Sequence, residues 1–250
     1  MSFTIAVAGK GGSGKTSITG LIIRYLIKNG KRPVLAIDAD PNANLGDGLG
    51  LNIKQTIGSI IATFNSEKLN IPPGMTKEAY LEFRLNDAVV ESNGLDLITM
   101  GRGEGADCYC YPNTLLRKFI DTTSENYAYM VMDNEAGMEH LSRRTTQNID
   151  VLLLISDHSV KGVRTLARIK DLVSELKLVV KTQSAIINFV PGHLDPSITE
   201  ELDRLGMVLA ATIPFDEEIS EYDLRQKSLL DLPDTSNAVM AVNNVIANVL

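Results

Sequence analysis

The sequence predicts an α/β fold, a mostly parallel twisted sheet flanked by helices, and three observations predict it. The first is a βαβ unit at the start of the chain: an apolar run over Thr4–Ala8, a glycine loop, helical spacing over Lys15–Lys28 and a second apolar run over Pro33–Ile37. The second is that apolar runs and helix-spaced segments keep alternating along the rest of the chain. The third is that the runs are apolar throughout, as strands are when helices cover both faces of a sheet. A strand that returns beside its predecessor through a helix makes a right-handed crossover, so the strands run parallel. The pattern continues across all 250 residues, which predicts a single domain over residues 1–250.

In the first unit, Ile18, Leu21, Ile22, Tyr25 and Leu26 recur at helical spacing, and Asn29-Gly30 stops the helix. Further strands are expected at Leu95–Met100, Ala128–Met132, Val151–Ile155, Ser184–Asn188 and Val208–Thr212. Helices are expected at Lys77–Val90, Thr114–Thr122, Val160–Leu176, Ser197–Leu205 and Thr235–Val249. Ile53–Gly74 reads as a helical insertion with a loop at Ile71-Pro72-Pro73-Gly74.

Composition narrows the function classes. Hydrophobic residues make up 44% and charged residues 22%, as in a globular chain with a full core. The net charge of -7 argues against wholesale nucleic-acid binding, which needs a basic surface to release counterions. No apolar stretch approaches the roughly 20 residues of a membrane span, and MSFTIAV lacks the basic start of a signal peptide. The expectation is a cytoplasmic protein without a membrane or nucleic-acid partner. Two cysteines, Cys108 and Cys110, are too few for a disulfide framework and too close to pair with each other.

Gly9-Lys10-Gly11-Gly12-Ser13-Gly14-Lys15-Thr16 lies between the first strand and the first helix. It matches the phosphate-loop pattern at Gly9, Gly14, Lys15 and Thr16. Such glycines let successive backbone N–H groups turn inward onto anionic oxygens, and the following helix adds its positive end. The expected nucleotide-binding set is therefore Gly9, Gly11, Gly12, Ser13, Gly14, Lys15, Thr16 and Ser17. Lys15 reaches the terminal phosphates of ATP, and the Thr16 hydroxyl is an Mg²⁺ ligand.

Asp133 ends a strand at the position where phosphate-loop proteins hold Mg²⁺; the plainer reading is a helix cap. Asn134-Glu135-Ala136-Gly137 follows as a loop able to sense the terminal phosphate. Asp38 and Asp40 end the second strand, on the ligand side of an open sheet. One of them orients the attacking water and the other orders the loop or joins the Mg²⁺ site; the alternative is that both are turn residues.

Lys10, directly after the first glycine, resembles the signature lysine of the deviant Walker A ATPases, the group of MinD/ParA and the nitrogenase iron protein. That resemblance implies a homodimer sandwiching ATP, with Lys10 touching phosphates across the interface. It implies Asp40 as the residue that positions water and Asp133 as the switch aspartate. Asn188 then corresponds to the adenine-contacting asparagine, although as a residue it also reads as a strand-end turn. Pro214, in Ile213-Pro214-Phe215-Asp216, falls in the base-pocket segment.

A narrower resemblance lies in Gly101-Arg102-Gly103-Glu104-Gly105-Ala106-Asp107-Cys108-Tyr109-Cys110 and in Met132–Leu141. Both resemble the CooC/AcsF branch, the nickel-insertion ATPases of carbon monoxide dehydrogenase and acetyl-CoA synthase. One departure is Asp107, where a glycine is expected. The branch implies Ni²⁺ as cargo and one of those nickel enzymes as client.

Thiolates bind Ni²⁺ and Zn²⁺, and tetrahedral S₄ suits zinc while square-planar coordination suits Ni²⁺. Cys108 and Cys110 supply only two sulfurs, and a symmetric dimer supplies four. The alternatives are buried core thiols, an iron–sulfur redox protein, or a MinD/ParA-like spatial organiser without a metal. His140 is a metal or proton shuttle or a solvated residue; His158 and His193 carry no assignment. Asn237–Leu250 has no lysine or arginine, so it reads as a packed helix and not as a membrane anchor.

Overall fold

The computed structural model describes residues 2–67, 71–102, 118–135 and 148–250. The opening unit is β1 (Phe3–Gly9), α1 (Lys15–Lys28) and β2 (Val34–Asp38). Next come α2 (Leu45–Leu49), α3 (Ile57–Glu67), α4 (Lys77–Asp87), β3 (Val90–Ser92) and β4 (Leu95–Thr99). After a helical stretch over 118–124 follow β5 (Tyr129–Asp133), β6 (Asn148–Asp157), α5 (Val160–Glu175) and β7 (Val179–Val190). The chain then runs through α6 (Pro196–Arg204), β8 (Leu209–Pro214), α7 (Glu217–Leu224) and α8 (Asn237–Val249).

Among the described residues the strands form one eight-stranded sheet in the order β3-β4-β2-β5-β1-β6-β7-β8. All pairings are parallel except the β3–β4 edge. The α/β fold with a mostly parallel sheet is therefore as the sequence predicts. The central position of β1 matters most. The chain leaves it toward β2 on one side and reaches β6 on the other, so a crevice opens beyond the carboxyl end of β1. The register brings Asp38 level with Asp133, and Val7 level with Asp133, on the rim of that crevice.

Alternate residues of the same strands feed two cores. Ile5, Val7, Val34 and Ala36 pack with α1 and α8 residues such as Leu21, Ile22, Val242 and Ile246. Ala6, Ala8, Leu35 and Ile37 pack on the other face with Ile60, Leu81, Val163 and Leu166. This two-sided burial is the reason that the strands lack polar alternation; each fully buried leucine or isoleucine contributes roughly 1.5–3 kcal/mol.

Several elements depart from the sequence expectation: the short helices α2 and α7 were not expected, and β6 runs over Asn148–Asp157 and not only Val151–Ile155. The helix expected over Lys77–Val90 stops at Asp87, and Val90–Ser92 pairs antiparallel with β4 as an edge strand. β7 extends well before Ser184; its first residues are largely exposed, because β8 pairs with it only from Ala185 onward. The expected helix Thr114–Thr122 lies in part outside the described residues, and the described part continues to residue 124. The C-terminal helix buries Ala238, Val239, Val242, Val245 and Ile246. The buried Arg24 of α1 secures the segment before it, donating to the Leu232 carbonyl at 2.6 Å and to Asp234 at 2.5 Å. Among the described residues no helix is long and apolar enough to cross a membrane.

Candidate functional site: a nucleotide cleft at the carboxyl ends of the central strands

The phosphate loop is held by its own backbone and by two neighbouring strands. A Cβ on Gly9 would overlap the carbonyl oxygen of Ile155 on β6, so only glycine lets β1 lie that close at its end. Gly14 has a φ of +84°, and a Cβ there would overlap the amide nitrogen of Asn188. That amide nitrogen donates to the Ser13 carbonyl at 2.9 Å, while the Asn188 carbonyl oxygen accepts the Phe189 N–H at 2.9 Å. The Lys10 carbonyl is the hub inside the loop: it accepts the Ser13 N–H at 3.3 Å, the Ser13 hydroxyl at 2.8 Å and Lys15 Nζ at 3.3 Å. Gly14→Ala is expected to destabilise the protein by about 1–3 kcal/mol and to lose nucleotide binding. Thermal melts with and without nucleotide check this: a variant with unchanged Tm and a wild-type nucleotide shift would overturn the reading.

Lys10 itself turns away from the loop. Its Nζ forms an ion pair with Asp157 Oδ2 at 2.7 Å, both side chains about a third exposed (34% and 30%). The Ser159 hydroxyl donates to the other Asp157 oxygen at 2.5 Å. Partial burial pushes the Asp157 carboxyl up, but these bonds from Lys10 and Ser159 outweigh it and hold the pKa below the ordinary value. Asp157 was not among the residues expected from sequence. Its signal was nonetheless present, since it ends β6 as Asp38 ends β2 and Asp133 ends β5.

The two buried carboxylates divide their work. Asp38 is fully buried and accepts the N–H groups of Asp40 at 3.1 Å and Leu45 at 2.9 Å, one on each oxygen. Its pKa is pushed up to about 7, chiefly by burial and further by the charge of Asp133. With both oxygens engaged, Asp38 shapes the loop from β2 to α2. Asp133 is 1% exposed; its Oδ1 accepts the Thr19 hydroxyl at 3.4 Å, and its Oδ2 has no partner. Burial lifts its pKa to about 6, against the nearby Thr16 hydroxyl and the charge of Lys15. A buried carboxylate oxygen without a donor, beside a threonine hydroxyl, is a hard-oxygen set that fits Mg²⁺. Thr16 and Asp133 would hold the ion there.

Asp40 sits on the open side. Its Oδ1 accepts both the Asn42 N–H at 2.8 Å and the Asn42 side-chain amide at 2.9 Å. It lines a cleft of about 730 Å³ together with Gly11, Gly12, Gly14, Lys15, Thr16 and Arg102. A smaller recess of about 40 Å³ lies behind the loop, lined by Ser17, Asn188, Pro214, Phe215 and Ile219 among others. The Phe189 and Phe215 rings meet there in a tilted pair with centroids 6.4 Å apart. Asp216 at its rim is a helix cap: it accepts the Glu218 and Ala238 N–H groups and the Ser236 hydroxyl. The structure thus places Lys15, Thr16 and Asp40 along the cleft, with Asp38 and Asp133 buried at the neighbouring strand ends, Lys10 turned to Asp157, and Asn188 and Pro214 in the recess.

Cys108, Cys110, Asp107, Gly137 and His140 lie outside the described residues. Among the described residues no cluster of three or more metal-binding side chains occurs.

Comparison with known proteins agrees with this geometry. Residues 4–230 match the CobQ/CobB/MinD/ParA nucleotide-binding domain. The chain belongs to that family. A member from Methanocaldococcus jannaschii, an ATP-binding protein of uncharacterised function, is 40% identical over 98% of both chains. The carbon monoxide dehydrogenase accessory protein CooC of Rhodospirillum rubrum is 31% identical, over 95% of this chain and 94% of that one. Among solved structures, the septum site-determining protein MinD of Pyrococcus horikoshii, complexed with Mg-ADP, superimposes with a TM-score of 0.72 at 21% identity. That alignment covers 100% of this chain and 96% of the MinD chain. The chain is therefore a nucleotide-binding member of the MinD/ParA family.

Proposed function

We propose that this family member is an ATP-hydrolysing metallochaperone that works as a homodimer and delivers Ni²⁺ to carbon monoxide dehydrogenase or acetyl-CoA synthase. The observation that carries the reading is the coexistence of a phosphate loop carrying the extra Lys10 with Cys108-x-Cys110 in a chain 31% identical to a carbon monoxide dehydrogenase accessory protein. Each subunit has half of a metal site and, through Lys10, half of a shared phosphate site. One closure of the dimer completes both.

In this reading the chain's own groups divide the ATPase reaction. The loop amides and Lys15 bind the β- and γ-phosphates, and Asn188, Pro214 and Phe215 frame the base. Asp40 orients a water for in-line attack on the γ-phosphorus; the bond to the β-phosphate oxygen breaks, giving ADP and inorganic phosphate. Thr16 and Asp133 would hold Mg²⁺, which when bound would supply charge neutralisation to the phosphates. Lys10 exchanges Asp157 for the phosphates of the nucleotide in the facing subunit. Phosphate release removes that attraction, the pair with Asp157 reforms, and the thiolate site opens to release its cargo.

Metal analysis of the purified dimer tests this. The wild type is expected to carry one divalent metal per dimer, with Ni²⁺ preferred to Zn²⁺ in competition. Cys108→Ser/Cys110→Ser is expected to carry none while still binding nucleotide. Equal metal in both proteins would overturn the reading, and a visible charge-transfer band after anaerobic purification would replace nickel by an iron–sulfur cluster. The MinD/ParA spatial-organiser reading is weighed by co-sedimentation with lipid or DNA. The net charge of -7, and an α8 whose apolar face is packed into the core, weigh against it.

A further inference from the structure

Arg102 has no part in the scheme above, yet it lines the same cleft as Lys15, Thr16 and Asp40. Its backbone is anchored where β4 ends. The Met100 N–H donates to the Asp38 carbonyl at 2.8 Å, and the Met100 carbonyl accepts the Gly58 N–H at 2.7 Å. Gly101 then turns with a φ of +62°, so close to Thr56 that a Cβ would overlap its side chain. The chain thus reaches Arg102 along a fixed path from the carboxyl end of the sheet.

The guanidinium is held from the other side by a neutral group. Arg102 Nη2 donates to Asn42 Oδ1 at 3.3 Å. Asn42 is oriented for this, because its own N–H and side-chain amide both bind Asp40 Oδ1. A short chain, Arg102 to Asn42 to Asp40, therefore ties a cation in the cleft to a carboxylate on the same wall. Among the described residues no carboxylate pairs with Arg102.

A long bond to a neutral amide is a weak hold for a guanidinium. Bonds between charged partners are shorter and roughly twice as strong, and the planar fork suits phosphate oxygens two at a time. We infer that Arg102 is a further nucleotide-contacting residue, whose guanidinium binds the terminal phosphate of a nucleoside triphosphate while Asn42 registers it against Asp40. This rests on the nucleotide reading of the cleft and adds to it a means of distinguishing triphosphate from diphosphate. In sequence Arg102 directly precedes the glycine-rich stretch that leads to Cys108 and Cys110.

The test measures the affinity of Mg²⁺-AMPPNP and of Mg²⁺-ADP for the wild type, Arg102→Ala, Arg102→Lys and Asn42→Ala. Arg102→Ala is expected to weaken the triphosphate analogue about tenfold, the weight of one charge-assisted hydrogen bond, and ADP less than about twofold. Arg102→Lys keeps the charge without the fork and falls between, and Asn42→Ala, read by steady-state turnover of Mg²⁺-ATP, lowers kcat more than it raises KM. Arg102 is exposed, so the variants are expected to melt with the wild type. If Arg102→Ala misfolds, the Arg102→Lys ratio decides. A triphosphate-to-diphosphate ratio unchanged from wild type would overturn the inference alone. A wild type that binds neither nucleotide would overturn the nucleotide reading and the inference with it.

Discussion

Asp133→Asn is expected to make the nucleotide-free protein more stable at pH 8 and to lower the proposed Mg²⁺-dependent ATP turnover severely. The carboxyl is 1% exposed with one oxygen unpartnered, and burial has raised its pKa from 3.8 to about 6. A rise of that size corresponds to roughly 3 kcal/mol of differential cost for the ionised form. An unpartnered buried amide recovers only part of it, so the net gain is about 1–2 kcal/mol, or several degrees in Tm. The pH dependence follows from the direction of the shift. The folded protein holds a proton on Asp133 up to about pH 6, and on Asp38 up to about pH 7. The unfolded chain loses both near pH 4. Stability from this pair is therefore full below about pH 4 and lost as pH rises through 6 and 7. The lowered groups, such as Asp157 and Asp216, act in the opposite sense, mainly at lower pH. Calorimetry is expected to show Tm of the wild type falling from pH 5 to pH 8, with the advantage of Asp133→Asn present at pH 8 and shrinking toward pH 5. Phosphate release is expected to drop by about 10²–10³-fold, the scale for losing one organised electrostatic partner. A variant that melts below the wild type at pH 8 and still hydrolyses ATP normally would sink the assignment.

The same residue shows what a sequence can and cannot convey. The positions of Asp133, Asp38 and the phosphate loop were legible because each follows a strongly apolar run, which marks a strand end on the side where an open sheet takes its ligands. The βαβ order was legible for the same reason, since two-faced burial leaves a continuous apolar run in sequence. The edge strand Val90–Ser92 was not, because three residues against one neighbour carry too little burial to mark a pattern. Long-range partners were hidden as well. Nothing local in the sequence links Lys10 to Asp157, or the Asn188 amide to the Ser13 carbonyl; only the side-by-side register of β1, β6 and β7 does so. Arg102 stood in view within the glycine-rich stretch, but its cleft exists only once β2 and β4 lie together.

Lys10→Ala is expected to lower ATP turnover on the order of 10³-fold, the scale for a cation supplied to the transition state across an interface. ADP binding to the single subunit should stay within about threefold of wild type, since Lys15 and the loop amides do not depend on the Lys10 side chain. Asp157→Ala has the opposite sign. The Lys10–Asp157 pair is about one-third exposed on both sides, and pairs of that kind contribute roughly 0–1 kcal/mol. In the proposed cycle that makes it a weak latch, suited to a residue that exchanges partners on closure: a strong buried pair would hold Lys10 in the open subunit. Freeing Lys10 by Asp157→Ala should therefore shift ATP-dependent dimerisation to lower ATP concentration by no more than about fivefold. Sedimentation velocity across an ATP titration, paired with steady-state phosphate release, reads both variants. A Lys10→Ala protein that turns over ATP at the wild-type rate would remove Lys10 from the shared site. An Asp157→Ala protein that dimerises less readily than wild type would make the pair a structural brace and not a latch.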